Sequence, residues 1–194
     1  MEAAESGTRH LTFLFADVEG STRLVEQHGS LAGLMLARYH ELVASNATAW
    51  GGRLFERIGD GAYACFPDAI AAVSAADALQ SAVATHDWGA IGRLRIRIAL
   101  VSGDVEVCGD RFYGRALFRA ARLQALAKGG ETLLAGSTVD ELGGTLLDGS
   151  VLRDLGTQRQ RDVSEPCSRW CILRGLATAM HRNLKIPRCR GPIR

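Results

Sequence analysis

The chain of 194 residues is 47% apolar and carries a formal charge of +2, which is enough apolar material for one substantial core. No apolar run approaches ~18 residues, which argues against a membrane-spanning helix. Cys65, Cys108, Cys167, Cys171 and Cys189 are odd in number and irregular in spacing, which argues against a zinc site and for reduced thiols in the cytoplasm. Residues 1–10 are polar and include Glu2 and Glu5, unlike a secretory leader.

In chain order, His10 to Phe15 reads as a strand ending at Asp17, and Ser21 or Thr22 can cap a short helix to Gln27. Leu31 to Trp50 is a strong helix with Leu31, Met35, Tyr39, Leu42 and Val43 on one stripe, closed by Gly51-Gly52. Arg53 to Ile58 and Ala62 to Phe66 form a hairpin around Gly59-Asp60-Gly61. Asp68 to Ala84 is a second long helix, with Ile70, Val73, Ala76 and Val83 inward.

Leu94 to Leu100 alternates, with Leu94, Ile96, Ile98 and Leu100 on one face and Arg95 and Arg97 on the other. Ser102-Gly103-Asp104 is expected to turn into a further strand, Val105 to Cys108. A third helix is expected over Phe112 to Ala127, then a strand at Thr132 to Ala135 and a short helix at Ser137 to Leu142. Val151 to Leu155 and Arg161 to Leu173 complete the sheet. This order, with many antiparallel neighbours, predicts an α+β fold of ferredoxin-like type.

The expected organisation is an extension over residues 1–9, one domain over 10–173 and a basic, flexible tail over 174–194. The tail holds Arg174, Arg182, Lys185, Arg188, Arg190 and Arg194 and no acidic residue, so residues 1–173 sum to about −4. It lacks the interleaved aromatics of a nucleic-acid contact. Trp50, Trp88 and Trp170 read as core or boundary residues, and His28, His40, His86 and His181 have no ligand spacing.

Two aspartates carry the chemistry. Asp17 lies in Leu11-Thr-Phe-Leu-Phe-Ala-Asp17-Val-Glu-Gly-Ser-Thr22, and Asp60 lies in Gly59-Asp60-Gly61. Each follows an apolar run and sits beside or near glycine. A lone aspartate after a strand is usually a turn former or a cap. Two in matched settings, about forty residues apart, suit a pair of divalent cations. Arg111, Arg115, Arg119 and Arg122 are spaced to share one helix face. Such a face is either a solvated surface or a clamp for phosphate charge.

These segments, with Gly109-Asp-Arg-Phe-Tyr-Gly114-Arg-Ala-Leu-Phe118-Arg-Ala-Ala-Arg122-Leu123, resemble the signature of class III nucleotide cyclases of bacterial type. The resemblance implies a cyclase homology domain whose head-to-tail homodimer, or heterodimer with another cyclase domain, builds the active site at its interface. ATP or GTP would be the substrate, and 3′,5′-cyclic nucleotide and pyrophosphate the products. Asp17, Asp60 and the Val18 backbone would hold two Mg²⁺ or Mn²⁺ ions. The backbone through Glu19, Gly20, Ser21 and Thr22 would cradle phosphates, and Arg122 of the other protomer would stabilise the transition state.

Three positions depart from the family pattern. Glu56 stands where adenylyl cyclases place a lysine to read adenine, and guanylyl cyclases a glutamate. Arg111 falls at the second base-reading position and cannot accept a hydrogen bond. Phe118 replaces the asparagine that orients the ribose. These departures predict weak cyclase activity in intracellular signalling. The alternative is a silent nucleotide-binding or dimerisation module that regulates or complements a partner cyclase.

Overall fold

In the computed structural model, residues 6–145, 150–158 and 167–174 are described. The strands are β1 (Ser6–Val18), β2 (Arg53–Ile58), β3 (Gly61–Phe66), β4 (Ile96–Cys108), β5 (Arg111–Tyr113), β6 (Thr132–Ala135), β7 (Ser150–Gln158) and β8 (Cys167–Arg174). The helices are α1 (Ser21–His28), α2 (Ser30–Ala49), α3 (Ala69–Thr85), α4 (Arg115–Gln124) and α5 (Gly136–Leu142). The sheet order is β2-β3-β1-β4-β6-β8-β7, with β5 paired to β4. Every pairing is antiparallel except β4 with β6. This is the expected α+β architecture, a mostly antiparallel sheet flanked by helices.

Central position explains the composition of β1. Its pleat alternates Phe13 and Phe15 with Leu14, Ala16 and Val18, and all five are buried. The two sets belong to separate cores on opposite faces of the sheet, so the run must be apolar on both sides. One core takes Met35, Tyr39 and Val43 of α2 with Val73, Ala76 and Leu79 of α3. The other takes Ala116, Ala120 and Leu123 of α4. Asp68 caps α3 by accepting from the Ala71 N–H at 2.8 Å, a contact of about 1 kcal/mol.

Several boundaries differ from the sequence expectation, each for a physical reason. β1 begins at Ser6 because β4 pairs with it out to Cys108, so the strand runs into the expected extension. β4 is one strand of 13 residues. Ser102 does not turn there, because its backbone and hydroxyl are spent in a buried network. Its N–H donates to Thr138 Oγ1 at 3.0 Å, and its hydroxyl shares a hydrogen bond with Thr12 Oγ1 at 2.8 Å. The third long helix starts only at Arg115, since Arg111 to Tyr113 fold back on β4 as β5. Arg111 therefore lies off the helix that carries Arg115, Arg119 and Arg122.

Leu31 and Ile70, placed inward by periodicity, are 48% and 47% exposed. Trp170 is buried and Trp50 is exposed. Of the expected tail, Arg174 ends β8, and residues 175–194 lie outside the described residues, as does the first part of the expected final strand, Arg161 to Pro166. No described helix is long and apolar enough to cross a membrane.

At the end of the sheet away from Asp17, His10 bridges two carboxylates. Its Nδ1 lies 2.6 Å from Asp104 Oδ1 and its Nε2 2.6 Å from Glu141 Oε1, joining β1 and β4 to α5. Hydrogen bonds to Glu141 and then Asp104 raise the His10 pKa. A raised folded-state pKa stabilises fully below the unfolded value of about 6.5 and loses that contribution as pH rises through the folded value. The bridge is solvent-exposed, so the effect is small. Thermal melts should show wild type losing more stability from about pH 6 to about pH 9 than His10→Ala does. Equal losses would mean the bridge is not charged in solution.

Candidate active site

The strand ends bring the two aspartates together. Asp17 follows Ala16, which pairs with Ala62 of β3, and Asp60 occupies the turn just before β3. Gly59 makes that turn with φ of 60°, a conformation glycine adopts without a Cβ clash. Asp60 Oδ2 accepts from the Val18 N–H at 3.3 Å, which ties the hairpin to the end of β1. The two carboxylates are close enough for Asp60 to raise the Asp17 pKa.

Asp17 has a partner that sequence reasoning did not assign. Arg97 lies directly opposite it in the β1–β4 register and donates from Nε to Oδ1 at 2.7 Å and from an Nη to Oδ2 at 2.5 Å. This is a fork-on-carboxylate pair, which holds geometry as well as charge. Burial is the largest influence on Asp17 and raises its pKa, Arg97 acts against it, and the net direction is up. The Arg97 pKa is raised, chiefly by its hydrogen bonds to Asp17. The available signal was the alternation of β4, which put Arg97 on the face away from the apolar residues; the strand pairing was not legible.

After Asp17 the chain turns into α1. Gly20 caps that helix in the left-handed region, at φ 70° and ψ 24°, and no side chain caps the first turn. The N–H groups around Ser21 and Thr22 are thus the open end of a helix dipole, with a preference for anions. Glu19 does not point its carboxylate into that turn. It accepts from the Gly129 N–H at 2.7 Å, while its own N–H donates to the Arg95 carbonyl at 2.9 Å. A Cβ on Gly129 would overlap the Glu19 carboxylate, so the glycine permits this latch. Glu19 contributes backbone to the turn and uses its side chain to hold it.

On the α4 side of the sheet a cleft of about 710 Å³ is lined by residues that include Phe15, Phe55, Glu56, Tyr63, Arg111 and Phe112. Glu56 and Arg111, the two positions expected to face the base, therefore share one cavity. Its floor is a ring cluster, with Phe13–Phe112 at 5.5 Å and Phe55–Phe112 at 4.9 Å between centroids, both edge-on. Arg53 braces two of the lining residues, its guanidinium 5.5 Å from the Phe112 ring centre and its Nη donating to Asp110 at 3.1 Å. The Tyr63 hydroxyl feels the charges of Asp17, Asp60 and Glu56, after burial as the main cause of its raised pKa. The carboxylates thus border the same side of the molecule as the cleft. Phe118 projects from α4 with 70% of its surface exposed, and Arg122 is half-buried one turn further on.

The donor set suits a hard divalent cation. Among the described residues no three His, Cys, Asp or Glu side chains converge. Two carboxylates with adjacent backbone are what Mg²⁺ requires when substrate phosphates complete its shell.

Comparison with known proteins agrees with this geometry. No protein-family model matches the chain. It is 31% identical over 173 residues to a Rhizobium meliloti protein provisionally named adenylate cyclase 3, covering 87% of this chain and 29% of that one. It is 31% identical over 163 residues to an uncharacterised protein of Mycobacterium tuberculosis, covering 82% and 54%. The chain thus spans about half or less of these relatives. A crystal structure described as an adenylate/guanylate cyclase/hydrolase from Silicibacter pomeroyi superposes with TM-score 0.76 at 26% identity, covering 86% of this chain and 98% of that one. The adenylyl cyclase CyaB from P. aeruginosa superposes with TM-score 0.78 at 24% identity, covering 93% and 100%. The fold is that of the class III cyclases. The chain is a class III nucleotide cyclase homology domain.

Arg97 and Asp17 are both more than two-thirds buried, at 29% and 19% side-chain exposure, so breaking the pair strands a charge. Arg97→Ala should destabilise the metal-free protein by about 1–3 kcal/mol in denaturant unfolding. Adding Asp17→Asn to it should cost little more, since the stranded carboxylate is then gone. Strictly additive losses would show that the two groups do not interact in solution.

Proposed function

We propose that this domain cyclises a purine nucleoside triphosphate weakly, with ATP giving 3′,5′-cyclic AMP and pyrophosphate at the interface of two protomers. The observation that carries this reading is the convergence of Asp17 and Asp60 beside an uncapped helix N-terminus, on the edge of an open cleft. Cyclase names among the relatives and structural neighbours support it at family level.

Asp17 and Asp60 would hold two Mg²⁺ or Mn²⁺ ions, with the Val18 backbone beside them. When bound, such ions promote the attacking 3′-hydroxyl and neutralise charge on the leaving pyrophosphate. The N–H groups of Ser21 and Thr22 would bind phosphate oxygens. Arg97, released from Asp17, would be left beside the same anion and can donate its fork to it. Arg122 of the second protomer would meet the charge that develops as the O3′–Pα bond forms and the bond to pyrophosphate breaks. Glu56 and Arg111 would face the base, and Phe118 would lie where a polar group should orient the ribose.

A second reading has its own observation. Phe118 cannot hydrogen-bond, and one missing preorganised contact in a catalytic site costs about 10²–10³ in rate. With Glu56 and Arg111 also altered, the domain can be a silent module that lends Asp17 and Asp60 to a partner cyclase.

A radiolabelled assay with Mn²⁺ and either ATP or GTP separates the two. Wild type should give slow product that disappears in Asp60→Ala, and Phe118→Asn should raise the rate by up to about 10²-fold. No product from wild type or Phe118→Asn with either nucleotide would reject the active enzyme and favour the silent module.

A further inference from the structure

Arg97 holds Asp17 in a way that competes with any cation on the same carboxylate. Its fork takes both oxygens, with Nε on Oδ1 at 2.7 Å and an Nη on Oδ2 at 2.5 Å. The two side chains are only 29% and 19% exposed, so water and salt screen little between them. A divalent cation brought to Asp17 therefore meets a fixed positive charge at short range. Asp17 serves Arg97 or a cation, and the cation must move the guanidinium to bind.

The strands offer the displaced guanidinium a second carboxylate. Asp17 stands opposite Arg97 and Val18 opposite Ile96. The Glu19 N–H then continues the ladder by donating to the Arg95 carbonyl at 2.9 Å. Glu19 is thus the diagonal neighbour of Arg97, two residues beyond Asp17 and on the same face, within reach of a long side chain. The Gly129 backbone places the Glu19 carboxylate on that face as well. A Cβ built on Gly129 would meet both the carboxylate and the Arg95 Cβ. Arg95 alternates with Leu94 and Ile96, which are buried on the other face, so it shares the side of Arg97. Glu19 Oε1 accepts from the Gly129 N–H at 2.7 Å. A carboxylate has about four acceptor sites, so this latch leaves capacity for a guanidinium.

We propose that Arg97 is a two-position gate on the cation site: it rests on Asp17 in the cation-free protein and moves to Glu19 when a divalent cation takes Asp17. This rests on the reading of Asp17 and Asp60 as metal ligands and deepens it. Each position pairs the guanidinium with one carboxylate, so an ion pair is exchanged rather than lost. The cation has to outcompete an internal partner and binds more weakly than its bare ligands would allow. A phosphate arriving with the cation gives the same fork a further acceptor, which couples cation binding to nucleotide binding.

The test titrates Mn²⁺ alone into the full chain, with free Mn²⁺ read by electron paramagnetic resonance and stability by thermal melts. Arg97→Met keeps an apolar stem and deletes the competitor, so it should bind Mn²⁺ about tenfold more tightly than wild type. Glu19→Gln keeps an acceptor for the Gly129 N–H and removes the receiving charge, so it should weaken binding about threefold. In the Arg97→Met background the same change should cost markedly less, because no guanidinium then needs the receiving carboxylate. Without Mn²⁺, Arg97→Met should melt below wild type, and saturating Mn²⁺ should narrow that gap. Asp60→Ala should lose binding. Equal or weaker Mn²⁺ binding by Arg97→Met, beside loss in Asp60→Ala, overturns the gate and leaves the metal reading standing. A loss from Glu19→Gln that is as large in Arg97→Met as in wild type overturns Glu19 as the second position. If neither wild type nor Arg97→Met binds Mn²⁺, or if Asp60→Ala binds as wild type does, the gate and the metal reading both fall. Should Arg97→Met fail to fold, Arg97→Gln removes the same charge and keeps a polar head for this partly exposed position.

Discussion

The ladder between β1 and β4 is the constraint on which the rest depends. Thirteen residue pairs run antiparallel from Ser6↔Cys108 to Val18↔Ile96, and each one-residue slip would turn every side chain to the other face. That register sets Asp17 against Arg97 at one end and His10 against Asp104 at the other. It also leaves Phe13 and Phe15 under the cleft while Leu14, Ala16 and Val18 face α2 and α3. The site is therefore built by strand pairing rather than by a loop, which gives it a rigid floor.

Rigidity matters because the site holds an electrostatic conflict. Asp17 is largely buried and has Asp60 nearby, and both facts oppose its ionised form. Arg97 offsets the conflict only in part, since the net shift of Asp17 remains upward. Asp60 meanwhile spends one oxygen on the Val18 N–H. Two carboxylates and one borrowed arginine form a set whose parts do not fully satisfy one another. Local rules break at functional sites for this reason. On the proposed reading, a doubly charged cation resolves all of it in one step, which an arginine on one carboxylate cannot do.

How much of this was legible follows from which physics is local. The hairpin around Asp60, the long α2 and the alternation of β4 are written in short-range periodicity and turn chemistry, and they stand within a few residues of expectation. The pairing partner of a strand is not local. Arg97 could be placed on a face but not opposite Asp17, because nothing in residues 94–100 says that β1 lies alongside. Arg111 was assigned to a helix because its spacing to Arg115, Arg119 and Arg122 fits one. Its tertiary partner, Cys108 of β4, overrides that spacing and moves it into the cleft with Glu56. Tyr39 was read as one more apolar stripe residue. Its ring obeys that reading, and only the structure shows its hydroxyl buried without a partner among the described residues.

The cleft explains why the departures from the family pattern fall where they do. Asp17, Arg97 and the turn after β1 are bound into the central strands, so changing any of them disturbs the register or leaves a stranded charge. Glu56, Arg111 and Phe118 lie on an edge strand, a three-residue strand and the outer side of α4, and all three are exposed. Substitution there costs the fold almost nothing. The half of the site that doubles as structure is therefore tied to the fold, while the half that would meet only substrate and a second protomer is free to drift. On the proposed reading, an exposed Phe118, with Tyr113 and Ile58 also exposed, would lose a ribose contact but add apolar surface on the side of the molecule where a second protomer would dock. Burial of such surface is worth about 25 cal/mol per Å², so the same substitution that weakens catalysis would strengthen association. On that reading, a domain changed in this way would keep its value as a partner for another cyclase longer than its own turnover.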